Sequence, residues 1–522
     1  MKKTENIATA AMILAVSILA SRLLGYVREM LLAYKFGASG TTDAFYAAFQ
    51  IPDILNNMLA GGELSIAFIP LYHKIFARDG EAAAQRLMAT LLGNMGVLVL
   101  ILTGLLWYFA DPLIRMQFPN FDAKTTDMTV TLTRIVLPAQ IFFIVGGIIQ
   151  AVLLAHKHFY AAALAPLVYN LCTILGGVFL YDSMGIAGFS IGTLIGAALG
   201  PLLMPVLFSF RHIPLKIRIA PRDRNFLIYL AIAAPLMLGT TLLTLDEWYG
   251  RWFGALLATG TVAHISYARR LMQVPIAVIG QAIGAAALPT LSKLWSEGKT
   301  AELNKTLLST LNTGIALSVL AGAGFFALAQ PIVALVYQHG KFLPEDTLVV
   351  AGLTALLAFA IPGWIVQQII SRAFYARGDT LRPMKLGTLL SLLAIPLYKW
   401  MAQHFGVYGL AMAGVLAMTI NAVATLGYAR KLHDAPPFMP QVDAFLRSLG
   451  IAVPAVLAAL TALWLRGHYF SMPGVEMKWV ALADIALGGA AFGLIALPAV
   501  LMFGEDGLKK FIHRIGSKVL GR

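Results

Sequence analysis

Charge is scarce in this sequence. Asp, Glu, Lys and Arg make up only 12% of its 522 residues while 59% are hydrophobic, against about 25% charged residues in soluble domains. That balance excludes a water-soluble globular protein and leaves a chain that crosses a membrane many times. Cysteine is almost missing. Cys172 alone, inside an apolar run, rules out a disulfide framework or a thiolate metal site and reads as a small buried hydrophobe. There is no short apolar core followed by a small-residue cleavage pattern; Met1-Lys2-Lys3 leads into a long apolar segment, so no cleaved leader is expected. Signatures of enzyme chemistry are lacking too. Glu297-Gly298-Lys299-Thr300 ends like a phosphate-binding loop, but Lys293 stands where the leading glycine belongs. No His-Glu-x-x-His occurs, and His156-Lys157-His158 fits a solvated turn beside the membrane better than a metal site. Neither enzyme activity nor a cofactor is expected. Transport would be driven by a monovalent cation, the membrane potential or substrate flux.

What the chain has is apolar length. Runs of helical length recur at residues 7–35, 43–72, 87–110, 129–155, 159–181, 185–210 and 225–250. They continue at 262–290, 303–328, 347–375, 383–402, 406–430, 443–465 and 479–503. Each is long enough to span a bilayer as a helix, which gives about fourteen spans. The loops between them alternate in sign. Lys2-Lys3, Lys74/Arg78/Arg86, Lys157, Arg211/Lys216/Arg218/Arg222/Arg224, Lys293/Lys299/Lys305, Arg377/Arg382/Lys385 and Arg430/Lys431 fall on one side. So does the tail with Lys509, Lys510, Arg514 and Lys518. The positive-inside rule then puts both termini in the cytoplasm, as an even count of crossings requires. The net charge of +14 therefore belongs to a membrane face, and no nucleic-acid partner is expected.

An internal repeat sets the domain plan. Gln50-Ile51-Pro52 with Ile69-Pro70-Leu71 in the second run is echoed by Gln273-Val274-Pro275 with Leu288-Pro289-Thr290 in the eighth. The unit is six helices, an even number, so both copies have the same orientation, as in transporters built from parallel repeats. The expected fold is all-α and polytopic, with two six-helix lobes related by a pseudo-two-fold axis along the membrane normal. Residues 1–223 and 224–432 are the lobes, 433–503 hold two further spans, and 504–522 form a basic amphipathic helix on the membrane surface. Gly192, Gly196 and Gly200 form a small-residue row expected to mediate close helix packing.

Two clusters of charge fall inside apolar runs. Ser21-Arg22-Leu23-Leu24-Gly25-Tyr26-Val27-Arg28-Glu29 places two guanidiniums and a carboxylate in the first. Arg22 lies about 20 Å along that helix, where a charge costs about 2.5–3.5 kcal/mol and usually marks a pathway. The eighth run carries Tyr267-Ala268-Arg269-Arg270-Leu271-Met272-Gln273. Arginine binds phosphates through bidentate, charge-assisted bonds and stays ionised when partly desolvated. A cavity fed by Arg22, Arg28, Arg269 and Arg270 suits a diphosphate better than an amine or a metal cation.

These segments, with Thr42-Asp43-Ala44-Phe45, Tyr337-Gln338-His339-Gly340-Lys341-Phe342 and Phe374-Tyr375-Ala376-Arg377-Gly378-Asp379, resemble the MviN/MurJ family of lipid II flippases over nearly the whole chain. That family lies in the multidrug/oligosaccharidyl-lipid/polysaccharide exporter superfamily. The resemblance implies two lobes facing a central cationic cavity and a lipid-tail groove from the last two helices. It also implies alternating access in the bacterial inner membrane, carrying undecaprenyl-diphosphate-linked disaccharide-pentapeptide outward for peptidoglycan synthesis, with cell-wall synthesis proteins as candidate partners. Arg22, Arg28 and Arg270 match the family's cavity arginines. Glu29 takes the place of an aspartate, and Asp43 matches directly, although after Thr41-Thr42 it reads equally as a helix cap.

Departures from the family pattern concern the same cavity. Asn56-Asn57 replace an arginine pair, Gly61 replaces a glutamate with Glu63 two residues on, Arg269 replaces an aspartate and Gln273 a glutamate. One arginine site is lost and another gained, so Arg22, Arg28, Glu29, Asp43, Asn56, Arg269, Arg270 and Gln273 are the expected substrate-binding set. Asp246 sits where some relatives bind sodium. Its acidic partner in the eleventh run is not evident and Lys399 lies in that neighbourhood, so an internal ion pair is the competing reading. Other functions remain open at this point: a flippase for a different polyprenyl-diphosphate saccharide, a cation-coupled small-molecule exporter, which would need an acid-rich cavity, or a membrane scaffold.

Overall fold

Backbone amides in apolar runs find no water in a bilayer and must bond within their own segment, which makes the runs helical. The computed structural model describes residues 7–59, 63–210, 213–243, 245–433, 435–470 and 474–509, and among the described residues there is no strand. Among the described residues, each of the fourteen apolar runs is mainly helical. Among the described residues, too, eight helices are apolar and long enough to cross a membrane by length and composition, or nine if the bent pair Pro344–Ala358 and Ile361–Ala376 is one span. The protein is an all-α, multi-pass membrane protein. Lys2, Lys3, Gly61, Arg211 and the basic tail from residue 510 onward lie outside the described residues.

The chain divides into two compact units, Met1–Ala263 and His264–Arg522. In the first, the helices in chain order are α1 (Ile7–Phe36), α2 (Gly40–Ala48), α3 (Gln50–Leu59), α4 (Glu63–Asp79), α5 (Glu81–Tyr108), α6 (Ala110–Gln117) and α7 (Ala123–Val136). Then come α8 (Ala139–Ala155), α9 (Tyr160–Phe179), α10 (Tyr181–Met184) and α11 (Ala187–Ala197), a π-helical turn (Ala198–Leu203), α12 (Met204–Ser209), α13 (Arg224–Leu243) and α14 (Leu245–Gly254). The core joins Phe68 and Tyr72 of α4, Leu87 and Leu91 of α5, Ile144 and Ile148 of α8, and Tyr229 of α13. The seventh run packs here, α13 lying on α3, α4 and α5.

Small residues allow the closest approach. A Cβ on Gly192 would lie 2.5 Å from the Cys172 carbonyl oxygen, one on Gly196 2.7 Å from that of Tyr169, and one on Gly200 2.4 Å from that of Ala165. The glycine row therefore presses α11 and the π turn against α9, as its spacing predicts. Gly146 on α8 meets the Pro201 carbonyl in the same way, with room for no side chain. The π turn contains Pro201, whose missing N–H and bulky ring break the ordinary bonding ladder.

The second unit holds α15 (Thr261–Ser296, its first three residues counted with the first unit), α16 (Thr300–Ala327), α17 (Ala329–Tyr337), α18 (Pro344–Ala358) and α19 (Ile361–Ala376). It ends with α20 (Leu381–His433), α21 (Phe438–Tyr469) and α22 (Met477–Phe503). The two repeat copies differ in one respect. In the first, Phe49 separates α2 from α3, whereas in the second Pro275 and Pro289 lie inside the single helix α15. The 53-residue α20 carries the eleventh and twelfth runs, parted only at Gly406, whose φ of 57° and ψ of −138° leave the helical region. Helices α16, α21 and α22 pack together, with Ala316, Ile451, Ala455, Ala496 and Val500 at their shared core. Leu508, from the expected tail helix, is buried against this core.

Candidate functional site

Two charged centres in the first unit tie α1 to α2 and α2 to the start of α15. Glu29 is 2% exposed on α1. Its Oε1 accepts from Arg28 Nη2 at 2.7 Å, and its Oε2 accepts from the Tyr46 hydroxyl of α2 at 2.6 Å. Tyr46 lies one turn from Asp43 on the same face of α2. Asp43 does not cap its own helix, whose N-cap position is Ser39. Its carboxylate instead accepts from the amides of Gly260 at 2.6 Å and Ala263 at 2.7 Å, capping the N-terminus of α15. Arg22 is exposed, one or two turns along α1 from Tyr26 and Glu29. Asn170 of α9 donates to the backbone and hydroxyl oxygens of Ser21 beside it, fixing α1 at that level.

Further along, α3 presents polar groups to its neighbours. Asn56 Nδ2 donates to Gln140 Oε1 of α8 at 2.9 Å. Asp53 pairs with Arg251 of α14 at 2.8 Å. Asp246 is half-buried at the start of α14, and Lys399 of α20 is exposed. Among the described residues no three His, Cys, Asp or Glu side chains gather as metal ligands would.

In the second unit the buried side of α15 is fixed by aromatic packing. Tyr267 is fully buried, its ring 4.8 Å from Tyr337 and 5.6 Å from Phe342. One turn earlier, His264 Nε2 lies 2.8 Å from Asp346 Oδ1 at the start of α18. With Tyr267, Ala268, Leu271 and Met272 turned inward, Ser266, Arg269, Arg270 and Gln273 share a half-buried stripe at helical spacing. The two adjacent arginines and Gln273 are thus brought to one side of the helix.

The same unit contains an apolar groove of about 470 Å³. Val319 and Phe326 of α16, Pro362 of α19, Val423 of α20, and Phe445 and Leu449 of α21 are among its walls. None of its lining residues comes from α22. Sequence reasoning expects a lipid-tail groove at the last two helices and gives no signal for this one, to which α16, α18, α19 and α20 contribute besides α21. It also missed Tyr46, Asp53, Gln140, Asn170 and Arg251. Tyr46 had a signal, since it follows Asp43 by one turn; the others depend on pairings between distant segments that periodicity does not reveal.

Helices arranged in this way define a class before they define a family. A solved inward-facing multidrug resistance MATE family transporter of the MOP superfamily is similar to this chain at a TM-score of 0.69, with 15% identity, over 81% of this chain and 98% of that one. The fold is thus that of MOP-superfamily transporters. A solved lipid II flippase MurJ, in an inward closed conformation, is more similar still, at a TM-score of 0.77 and 22% identity over 94% and 98% of the two chains. The family model for "Lipid II flippase MurJ" matches residues 32–482, and the chain belongs to that family. Its curated relatives include the lipid II flippase MurJ of Burkholderia cenocepacia, 30% identical over 70% of this chain and 73% of that one. A probable lipid II flippase MurJ of Buchnera aphidicola is 27% identical over 87% and 89%. The family is one of lipid transporters, not enzymes.

Proposed function

We propose that this protein is a flippase that moves lipid II, the undecaprenyl-diphosphate-linked precursor of peptidoglycan, from the cytoplasmic to the periplasmic leaflet of the bacterial inner membrane. Membership of the family over residues 32–482 carries the reading. The chemistry agrees with it. A diphosphate needs cations that stay ionised in a half-dry site, and arginine does so where lysine loses its proton more readily. Arg22 is exposed on α1, and Arg269 and Arg270 share a stripe with Gln273 on α15. We assign these arginines to the phosphates. Arg28 is already held by Glu29, so we assign Arg28, Glu29 and Asp43 to positioning the helices that bear the phosphate ligands. The polyprenyl tail fits the apolar groove of the second unit, and transport proceeds by alternating access. Both termini face the cytoplasm in this scheme, with the basic loops on that side. A monovalent cation at Asp246 or the membrane potential supplies the drive.

A second reading rests on one observation. Asn56, which stands where the family pattern has an arginine, is paired with the amide of Gln140, a neutral contact that alters how a saccharide headgroup is met. The cargo is then another polyprenyl-diphosphate saccharide, such as an exopolysaccharide or O-antigen unit. Depletion of the resident flippase in a bacterium supplied with this chain separates the two. Rescue of growth, with lipid II accessible on the outer face, supports the first. Failure of rescue with restored capsule export supports the second. If Arg269→Ala and Arg270→Ala both transport normally, the phosphate assignment on α15 is wrong.

A further inference from the structure

Residues 213–223 lead into α13, which begins at Arg224, without forming a helix, lying instead as a strap along α5. Arg218 N donates to the Ala89 carbonyl at 2.9 Å. Asn94 clamps Ala220 with both ends of its amide, donating to its carbonyl at 3.0 Å and accepting from its N–H at 2.9 Å. Gly93 leaves space for the strap's backbone, because a Cβ there would lie 2.2 Å from the Arg218 carbonyl oxygen. A connection fastened at consecutive turns of one helix is part of the folded body rather than a solvated loop.

Side chains alternate along extended backbone. Ile213 and Leu215 turn inward onto the core of the first unit. Ile217 and Ile219 follow in the same alternation but are 78% and 66% exposed. Between and after them come Lys216, Arg218, Arg222 and Arg224, all exposed. Arg218 is matched by Asp223 at 3.1 Å, while Lys216, Arg222 and Arg224 make no ion pair among the described residues.

The strap's depth follows from α5. Its 28 residues extend about 42 Å at 1.5 Å per residue, about 12 Å more than the hydrocarbon thickness of about 30 Å. Exposed Trp107 and Tyr108 at its end mark one interface, where such rings collect. The other interface then falls about eight residues in from Glu81, at Ala89, where the strap is bonded. Two exposed isoleucines and three unmatched cations thus lie at the level where acyl chains give way to phosphates.

We propose that residues 213–224 form a binding site for anionic phospholipid. Lys216, Arg222 and Arg224 hold the headgroup phosphates, and Ile217 and Ile219 enter the first methylenes below them. The occupant is structural bilayer lipid, so the site is independent of which saccharide is transported.

The test uses the purified full-length chain, with phosphatidylglycerol or phosphatidylcholine titrated against it while bound lipid is counted by native mass spectrometry and thermal unfolding is followed. Phosphatidylglycerol is expected to bind preferentially and raise the unfolding midpoint. Combined Lys216→Ala, Arg222→Ala and Arg224→Ala should weaken phosphatidylglycerol at least tenfold and leave phosphatidylcholine unchanged. Lys216→Ala alone, at an exposed site without a partner, should weaken it severalfold. Ile217→Ser with Ile219→Ser should weaken both lipids. Inorganic phosphate should not raise the midpoint. The proposal fails if Lys216→Ala and the triple variant retain wild-type preference, if inorganic phosphate stabilises as well as lipid, or if a photo-crosslinker at position 217 captures polypeptide instead of lipid in membranes.

Discussion

A buried carboxylate is stable only where its partners are, and at Glu29 they come from the neighbouring residue and from the next helix. Removing the hydroxyl in Tyr46→Phe takes one bond from Glu29 Oε2 and should lower stability by about 1–3 kcal/mol, read as a drop in thermal midpoint at unchanged m-value. Asp43→Ala strips the cap from Gly260 and Ala263 and should cost about 1–2 kcal/mol. Histidine gives a pH signature at the same scale. Burial holds His156, beside the Tyr72 hydroxyl, below the ordinary imidazole range. Burial and then the Arg377 guanidinium do the same for His433. In both, the folded state favours the neutral ring, so the unfolded chain binds more protons as pH falls below about 6.5. Stability should therefore decline between pH 7 and pH 5.5, and replacing both histidines with glutamine should flatten that decline. The sequence reveals that Arg22, Arg28, Glu29 and Asp43 are unusual. It does not reveal that Arg28 and Glu29 satisfy each other, because an adjacent pair on a helix is not expected to meet.

Among the elements, the sequence was most informative where spacing alone decides contact. Gly192, Gly196 and Gly200 recur every four residues, and each rests on a carbonyl of α9 or of the residues preceding its end. Gly188, one turn before Gly192 in the same row, and Gly176 of α9 join the same contact, so the row is one member longer than the three glycines read from sequence. Gly146→Ala should be among the most destabilising single methyl additions, since its Cβ would lie 1.8 Å from the Pro201 carbonyl oxygen. Overpacking of this kind costs about 1–3 kcal/mol or more, measurable by thermal unfolding in detergent. The π turn that carries this carbonyl was invisible in sequence, because proline signals an interruption without specifying which bonds replace those it removes. At the C-terminal hairpin, Arg466 of α21 makes a two-bond pair with Asp484 of α22. Arg466→Ala leaves a largely buried carboxylate without its cation and should cost about 3–5 kcal/mol.

For the whole molecule, apolar run lengths were enough to outline an all-helical, multi-pass protein, because the bilayer permits few alternatives. The repeat was visible too, but not the unlike handling of its copies, broken at Phe49 and continuous through Pro275. The groove of the second unit left no signal in sequence, because helices distant along the chain, α16 and α18 to α21, build it. If that groove carries the lipid tail, Ala323→Trp should reduce flipping severalfold in a complementation or vesicle assay while leaving folding intact, since the ring enters existing space rather than packed core. Unchanged transport would remove the groove from the path.

Gly406 has a practical bearing on how such a chain is mapped. With one residue turning α20 from its eleventh run into its twelfth, almost no backbone is left outside the helices for a protease, an inserted epitope or a bulky thiol reagent to reach. Every residue but glycine is strained at that conformation. Reporters placed there should be silent or should abolish expression, and that silence records a hairpin too tight to probe, not a segment sealed inside the membrane.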